Sequence, residues 1–175
     1  MSPARFAPLR FGDRAVQIPG KVGRTPMMHT FLFEPGVWTS KGTFWRADGE
    51  PLEAQGRTEI AHHPTAWLLA GSLKVFGAPP VEFVNAYSIS PPGRDATCMK
   101  WTAENATLGK LSGTFSVVGT SILCVYTCTA SGYHGSEHMG QIDSHHYNAT
   151  GILLLNERRL SSWQLVLSRK SAGGG

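Results

Sequence analysis

Residues 66–90, AWLLAGSLKVFGAPPVEFVNAYSIS, decide how the rest of the chain is read. In the first half Trp67, Leu69, Leu73 and Val75 share a face, opposite Leu68, Ala70, Ser72 and Lys74. In the second half Phe83, Asn85, Tyr87 and Ile89 oppose Glu82, Val84, Ala86 and Ser88. Successive side chains on a strand point to opposite faces, so each half is a strand with one face turned inward. Gly77-Ala78-Pro79-Pro80 interrupts the ladder between them and marks a turn.

The same cadence continues outward on both sides. Upstream, VWTSKGTFWRA (37–47) ends at Asp48-Gly49, a hairpin dipeptide, and LEAQGRTEIAHH (52–63) stops at Pro64. Downstream come DATCMKWTA (95–103), TLGKLSGTFSVV (107–118), SILCVYTCTAS (121–131), a run from Tyr133 to Tyr147, TGILLL (150–155) and SSWQLVLSR (161–169). Asn156-Glu157-Arg158-Arg159 turns the last hairpin. After residue 30 no segment shows a helical period with caps. The expected fold is all-β: a single antiparallel up-and-down β-barrel of about ten strands with an irregular N-terminal arm. Closing the meander removes its two edges, and a two-sheet sandwich is the competing arrangement. The expected boundaries are 1–30 for the arm, 31–170 for the barrel and 171–175 for a flexible glycine-rich end.

Composition agrees with one domain able to bury a sizeable core, at 175 residues. Charged residues make up 16%, below the roughly 25% usual for soluble domains, as a strand-rich, Thr/Ser/Gly-rich chain would have. The net charge of +4 comes from scattered basic residues without interleaved aromatics, so nucleic acid is not an expected partner. No apolar run approaches a membrane span, and MSPARFAPLRFGDR lacks the apolar segment of a signal peptide. Cys124 and Cys128 would lie about 13 Å apart on one strand face, too far for a disulfide. They read as buried thiols, and the expected location is cytoplasmic.

Gly36-Val37-Trp38 and the hairpins after it resemble the calycins, the lipocalin and fatty-acid-binding-protein group of meander barrels. The resemblance covers residues 36–169 as architecture and implies a ligand cavity. Neither a lipocalin's later helix nor a fatty-acid-binding protein's helical lid is evident. Nitrobindin-like haem barrels are built similarly and hold iron through a histidine near the C-terminal strands, but none of the histidines here is matched to that ligand.

The densest chemistry lies in GYHGSEHMGQIDSHHY, residues 132–147. Read as one strand, it places Tyr133, Glu137, Met139, Gln141, Asp143, His145 and Tyr147 on one face. That face points either into the barrel or to solvent. Turned inward, a carboxylate beside a histidine supplies an acid–base pair. The catalytic candidates are His63, Glu137, Asp143 and His145. The ligand-binding candidates are Trp67, Asn85, Tyr87, Trp101, Gln141 and Tyr147. Asn85 and Tyr87 on an apolar face serve either a ligand or an internal hydrogen-bonded pair. His63, His138 and His145 or His146 could converge, yet no His-x-His occurs, so no metal and no cofactor is expected.

The leading expectation is a carrier or sensor holding a small, largely apolar or aromatic molecule. A cofactor-independent isomerase, cyclase or lyase is the alternative, so enzymatic activity stays open, as does homodimerisation. A metal- or haem-binding barrel is the lesser alternative.

Overall fold

A computed structural model describes residues 29–93, 97–105 and 108–171. Residues 1–28 of the expected arm and 172–175 of the expected end lie outside the described residues. Ten strands follow in chain order: β1 (Gly36–Arg46), β2 (Pro51–His62), β3 (Trp67–Val75), β4 (Val81–Ile89), β5 (Cys98–Asn105), β6 (Gly109–Val118), β7 (Ser121–Thr127), β8 (Tyr133–Gln141), β9 (His146–Leu155) and β10 (Arg158–Arg169). Each pairs antiparallel with the next, and β1 also pairs with β10, from Trp38 against Arg169 to Arg46 against Ser161. The sheet therefore closes into a barrel, and the sandwich does not form. Among the described residues there is no helix, and so none long and apolar enough to cross a membrane.

Period-two patterning is cleanest in β5. Met99, Trp101, Ala103 and Asn105 are buried while Cys98, Lys100, Thr102 and Glu104 are exposed. On the outer face of β2 the charges pair, Arg57 with Glu59 on the same strand and Glu53 with Lys41 of β1. At these exposures the pairs add little to stability. The β9–β10 hairpin turns on Asn156 and Glu157, whose φ angles of 47° and 64° give the turn handedness that matches strand twist.

One expected element is corrected. The run from Tyr133 to Tyr147 is two strands, broken at residues 142–145. Asp143 makes the break: its Oδ1 accepts the His145 backbone N–H at 2.7 Å, a side chain standing in for a backbone turn partner. Tyr147 thus belongs to β9, opposite Gln141 of β8.

The two barrel ends differ. At the end where β1 begins and β10 finishes, inward-facing Trp38, Ile60, Ile89, Met99, Ile122, Met139 and Tyr147 are all buried. Residues 29–35 fold over them as a plug, with Phe31 and Leu32 buried. Leu32 has φ 70°, a conformation costing a non-glycine residue about 1–2 kcal/mol. Complete burial of its side chain and a 2.7 Å bond from His62 Nε2 to its carbonyl offset that cost. At the other end inward-facing Leu52, Leu73, Phe83, Asn85, Leu108, Tyr133, Leu153 and Leu155 keep partial exposure. The first end is closed and the second is the mouth.

Candidate functional site

Between plug and mouth lies a cavity of about 230 Å³, walled by side chains from all ten strands. Eight aromatic residues contribute: Phe31, Phe44, Phe83, Tyr87, Trp101, Phe115, Tyr126 and Trp163. Among the lining residues Glu137 is the only carboxylate, and none is lysine, arginine or histidine.

Three glycines position the large rings. Gly151 of β9 faces Glu137 of β8 on one side and Trp163 of β10 on the other. A Cβ at Gly151 would lie 2.2 Å from Trp163 Cζ2, because the indole lies flat across that glycine. The ring thereby crosses a whole strand, and its Nε1–H donates to Glu137 Oε1 at 2.8 Å. Gly113 does the same for Trp101, with a virtual Cβ 2.5 Å from Cζ2. Gly135 lies beneath the Tyr126 hydroxyl, which donates to the Ile152 carbonyl at 3.1 Å. Aromatic rings laid over strand glycines cover backbone that would otherwise lack packing.

The electrostatics centre on Glu137. Burial raises its pKa above the ordinary 4.5, against the opposing pull of the Trp163 hydrogen bond. Its remaining accessible surface faces the cavity. Burial, reinforced by the nearby Glu137 charge, also pushes up the Cys124 thiol and the Tyr87 and Tyr126 hydroxyls. Cys124 sits directly across from Glu137 in the β7–β8 ladder. Among the described residues no second donor reaches the Glu137 carboxyl, and none partners the Tyr87 hydroxyl.

The structure brings only some of the expected site residues together. Glu137, Asn85, Tyr87 and Trp101 line the cavity. Asn85 is already engaged, its Oδ1 accepting from Asn105 Nδ2 at 2.7 Å, whereas Tyr87 packs edge-on against Trp101 at 4.8 Å. Trp67 stacks on His62 with ring centroids 3.8 Å apart beneath the plug, and does not line the cavity. Gln141 is buried at the same closed end. Tyr147 is there too, as the hub of the plug: its hydroxyl accepts the Thr30 and Phe31 backbone N–H groups at 3.0 and 3.3 Å. It donates to His29 Nδ1 at 3.2 Å, since His29 Nε2–H must serve the Gly119 carbonyl at 3.0 Å.

The row Glu137, Gln141, Asp143, His145 does not form one cavity-facing strand face. Asp143 and His145 stand exposed in the β8–β9 turn, where His145 bonds Ser144 Oγ and the His146 ring holds the Asp143 carboxyl below the usual carboxylate range. His63 is exposed in the β2–β3 turn. These three lie outside the closed end, away from Glu137, so no histidine–carboxylate pair occupies the cavity. Among the described residues no three His, Cys, Asp or Glu side chains gather as metal ligands would. Tyr126, Phe44, Phe83 and Phe115 were not singled out by sequence for ligand contact. Their signal was alternation alone, with Gly113, Gly135 and Gly151 as the hint that neighbouring rings lie flat.

Solved structures share this closed ten-stranded antiparallel barrel, two of them as follows. The S-type phycobiliprotein lyase CPES from Guillardia theta superposes with a TM-score of 0.57 at 8% identity, over 80% of this chain and 90% of that one. Rv2717c from M. tuberculosis superposes with a TM-score of 0.55 at 15% identity, over 78% and 92%. At these identities the likeness speaks for fold alone. No protein-family model and no curated protein matches the chain.

Proposed function

We propose that this protein binds a small, largely apolar molecule inside the barrel, as a carrier or sensor. The observation carrying this reading is Glu137: a carboxyl on an aromatic cavity wall, held by one donor and otherwise facing the cavity. A group that costs free energy to bury, placed where packing alone would favour an apolar residue, acts as an anchor for a ligand's polar end. The Tyr87 hydroxyl supplies a second contact, while Trp101, Trp163 and Tyr126 supply the apolar walls.

The volume sets the ligand's size. Drug-sized ligands occupy pockets of about 300–1,000 Å³, and an apolar cavity of about 150 Å³ takes a benzene. A cavity of about 230 Å³ therefore suits one substituted ring or a short branched chain. The ligand enters at the mouth, since the plug closes the other end. In this reading His63, Asp143 and His145 take no part in ligand contact.

Native mass spectrometry of freshly purified protein, under conditions that preserve non-covalent complexes, is the direct test. A retained molecule of small mass supports the reading. An empty barrel that also gains no thermal stability from a panel of small aromatic compounds refutes it.

A further inference from the structure

We propose that the cavity is built for a small organic cation, a monocyclic or short-chain amine whose ammonium pairs with Glu137 inside the ring-lined wall. This rests on the reading of the barrel as a small-molecule binder and adds the chemical class of the ligand.

Three observations converge. Glu137 is the only charged side chain among the lining residues, and no lysine, arginine or histidine lines the cavity to neutralise it. Buried carboxylates are ordinarily paired. Among the described residues the only hydrogen bond to Glu137 comes from the neutral Trp163 indole, at 2.8 Å. The protein thus supplies the anion and leaves the cation to come from outside.

The second observation is the ring content. Ring faces carry negative charge density and attract cations, tryptophan most strongly. Trp163 and Tyr126 stand beside Glu137, and Trp101 lies 6.2 Å from Tyr126 across Gly113, with Tyr87 and Phe115 packed on Trp101 in turn. An anionic ligand would meet these faces and the carboxylate together, and both repel it. A neutral carbonyl ligand would gain the carboxylic acid's hydrogen bond and apolar contact with the rings, but no charge attraction from either.

The third is the bias that the cavity puts on the carboxyl. Burial raises the Glu137 pKa, so the empty cavity favours the neutral acid more than water does and a paired cation restores the carboxylate. When an ammonium ion enters, the acid gives its proton to solvent and the carboxylate pairs with the cation. When a free amine enters, the same proton passes to nitrogen. Both routes balance and end in one ion pair, in a medium where opposite charges attract far more strongly than in water.

The experiment compares three probes of nearly equal size by titration calorimetry at pH 7. These are benzylamine as the cation, benzyl alcohol as its neutral counterpart and benzoate as the anion. The proposal expects benzylamine to bind at least tenfold more tightly than benzyl alcohol, with benzoate the weakest. In Glu137→Gln, which keeps side-chain size and an acceptor for Trp163, the two non-anionic probes should fall within threefold of each other. Glu137→Asp should retain a preference for the amine. Equal binding of benzylamine and benzyl alcohol to the unaltered protein overturns the cation assignment and leaves small-molecule binding standing. A preference that survives Glu137→Gln overturns it as well. If Glu137→Gln fails to fold, the ranking of the three probes on the unaltered protein decides. A co-purifying amine supports the assignment, and a co-purifying acid or neutral compound overturns it. Binding of none of the probes by a barrel that also purifies empty overturns this assignment and the proposed function together.

Discussion

Replacing Gly151 by alanine should damage the barrel out of proportion to one methyl group. The added Cβ would sit 2.2 Å from Trp163 Cζ2 and 2.3 Å from Cε2. Carbon atoms pack at about 3.5–4.0 Å, so the indole must lift by about 1.3 Å or more. A lift of that size stretches and misaligns its 2.8 Å bond to Glu137. Overpacking of this kind costs about 1–3 kcal/mol, and a buried acceptor deprived of its donor about 1–3 kcal/mol. Restricting the unfolded chain by replacing glycine returns about 0.4–1 kcal/mol. The net loss is about 1–6 kcal/mol against total stabilities of about 5–15 kcal/mol. For a chain of this size that lowers Tm by about 2–24 °C. Urea unfolding followed by tryptophan emission measures the loss, and a double-mutant cycle assigns its cause. In a Trp163→Ala background the alanine has no ring to meet, and its cost should nearly vanish. A Gly151→Ala variant within about 0.5 kcal/mol of the unaltered protein would refute the account. So would an equal cost in both backgrounds.

Glu137 should impose a pH dependence on stability. Its folded pKa is raised above the unfolded 4.5, so the folded state holds the proton more tightly. The contribution is fully present below 4.5 and is lost as pH rises through the folded value. Unfolding midpoints of Glu137→Gln against the unaltered protein, measured across pH, should show the variant gaining relative stability as pH rises. His29 works in the opposite direction. Burial lowers its pKa from 6.5, so its contribution is present above 6.5 and is lost as pH falls through the folded value. A His29→Gln variant should flatten that acid-side decline, and an unchanged profile would contradict the role given to the plug. Tyr147→Phe leaves the Thr30 and Phe31 amides without their acceptor. It should cost about 2–4 kcal/mol, with faster hydrogen exchange at those two amides than at the barrel ladders.

The barrel was legible because alternation and turn chemistry agreed along most of the chain. Asp48-Gly49, Gly77-Ala-Pro-Pro80 and the Asn156 turn each bound a strand with a clear inner face. The β8–β9 turn was not legible, since it contains neither glycine nor proline and depends on the Asp143 side chain capturing a backbone amide. Reading through it carried Asp143 and His145 onto a face they do not share with Glu137. The plug escaped for a different reason. Residues 29–35 have no periodic pattern, and their order comes from contacts with Tyr147, Gly119 and His62, all distant in sequence. Asn85 and Tyr87 were placed on the inner wall by alternation alone. That Trp163 reaches Glu137 could not be read locally, because the two lie on strands separated by β9.

The seam between β1 and β10 has a consequence for how the molecule assembles. Every other ladder joins neighbours in sequence and can form as a local hairpin, but this one joins Trp38 to Arg169. Bringing such distant segments together costs more chain entropy than closing any single hairpin. Until β10 has been synthesised and docked, the nascent sheet carries two bare edges, β1 and β9, either of which can recruit a second chain. Production is therefore most vulnerable to aggregation late in translation, and a chain truncated before Arg158 should accumulate as aggregate although nine of its strands remain intact.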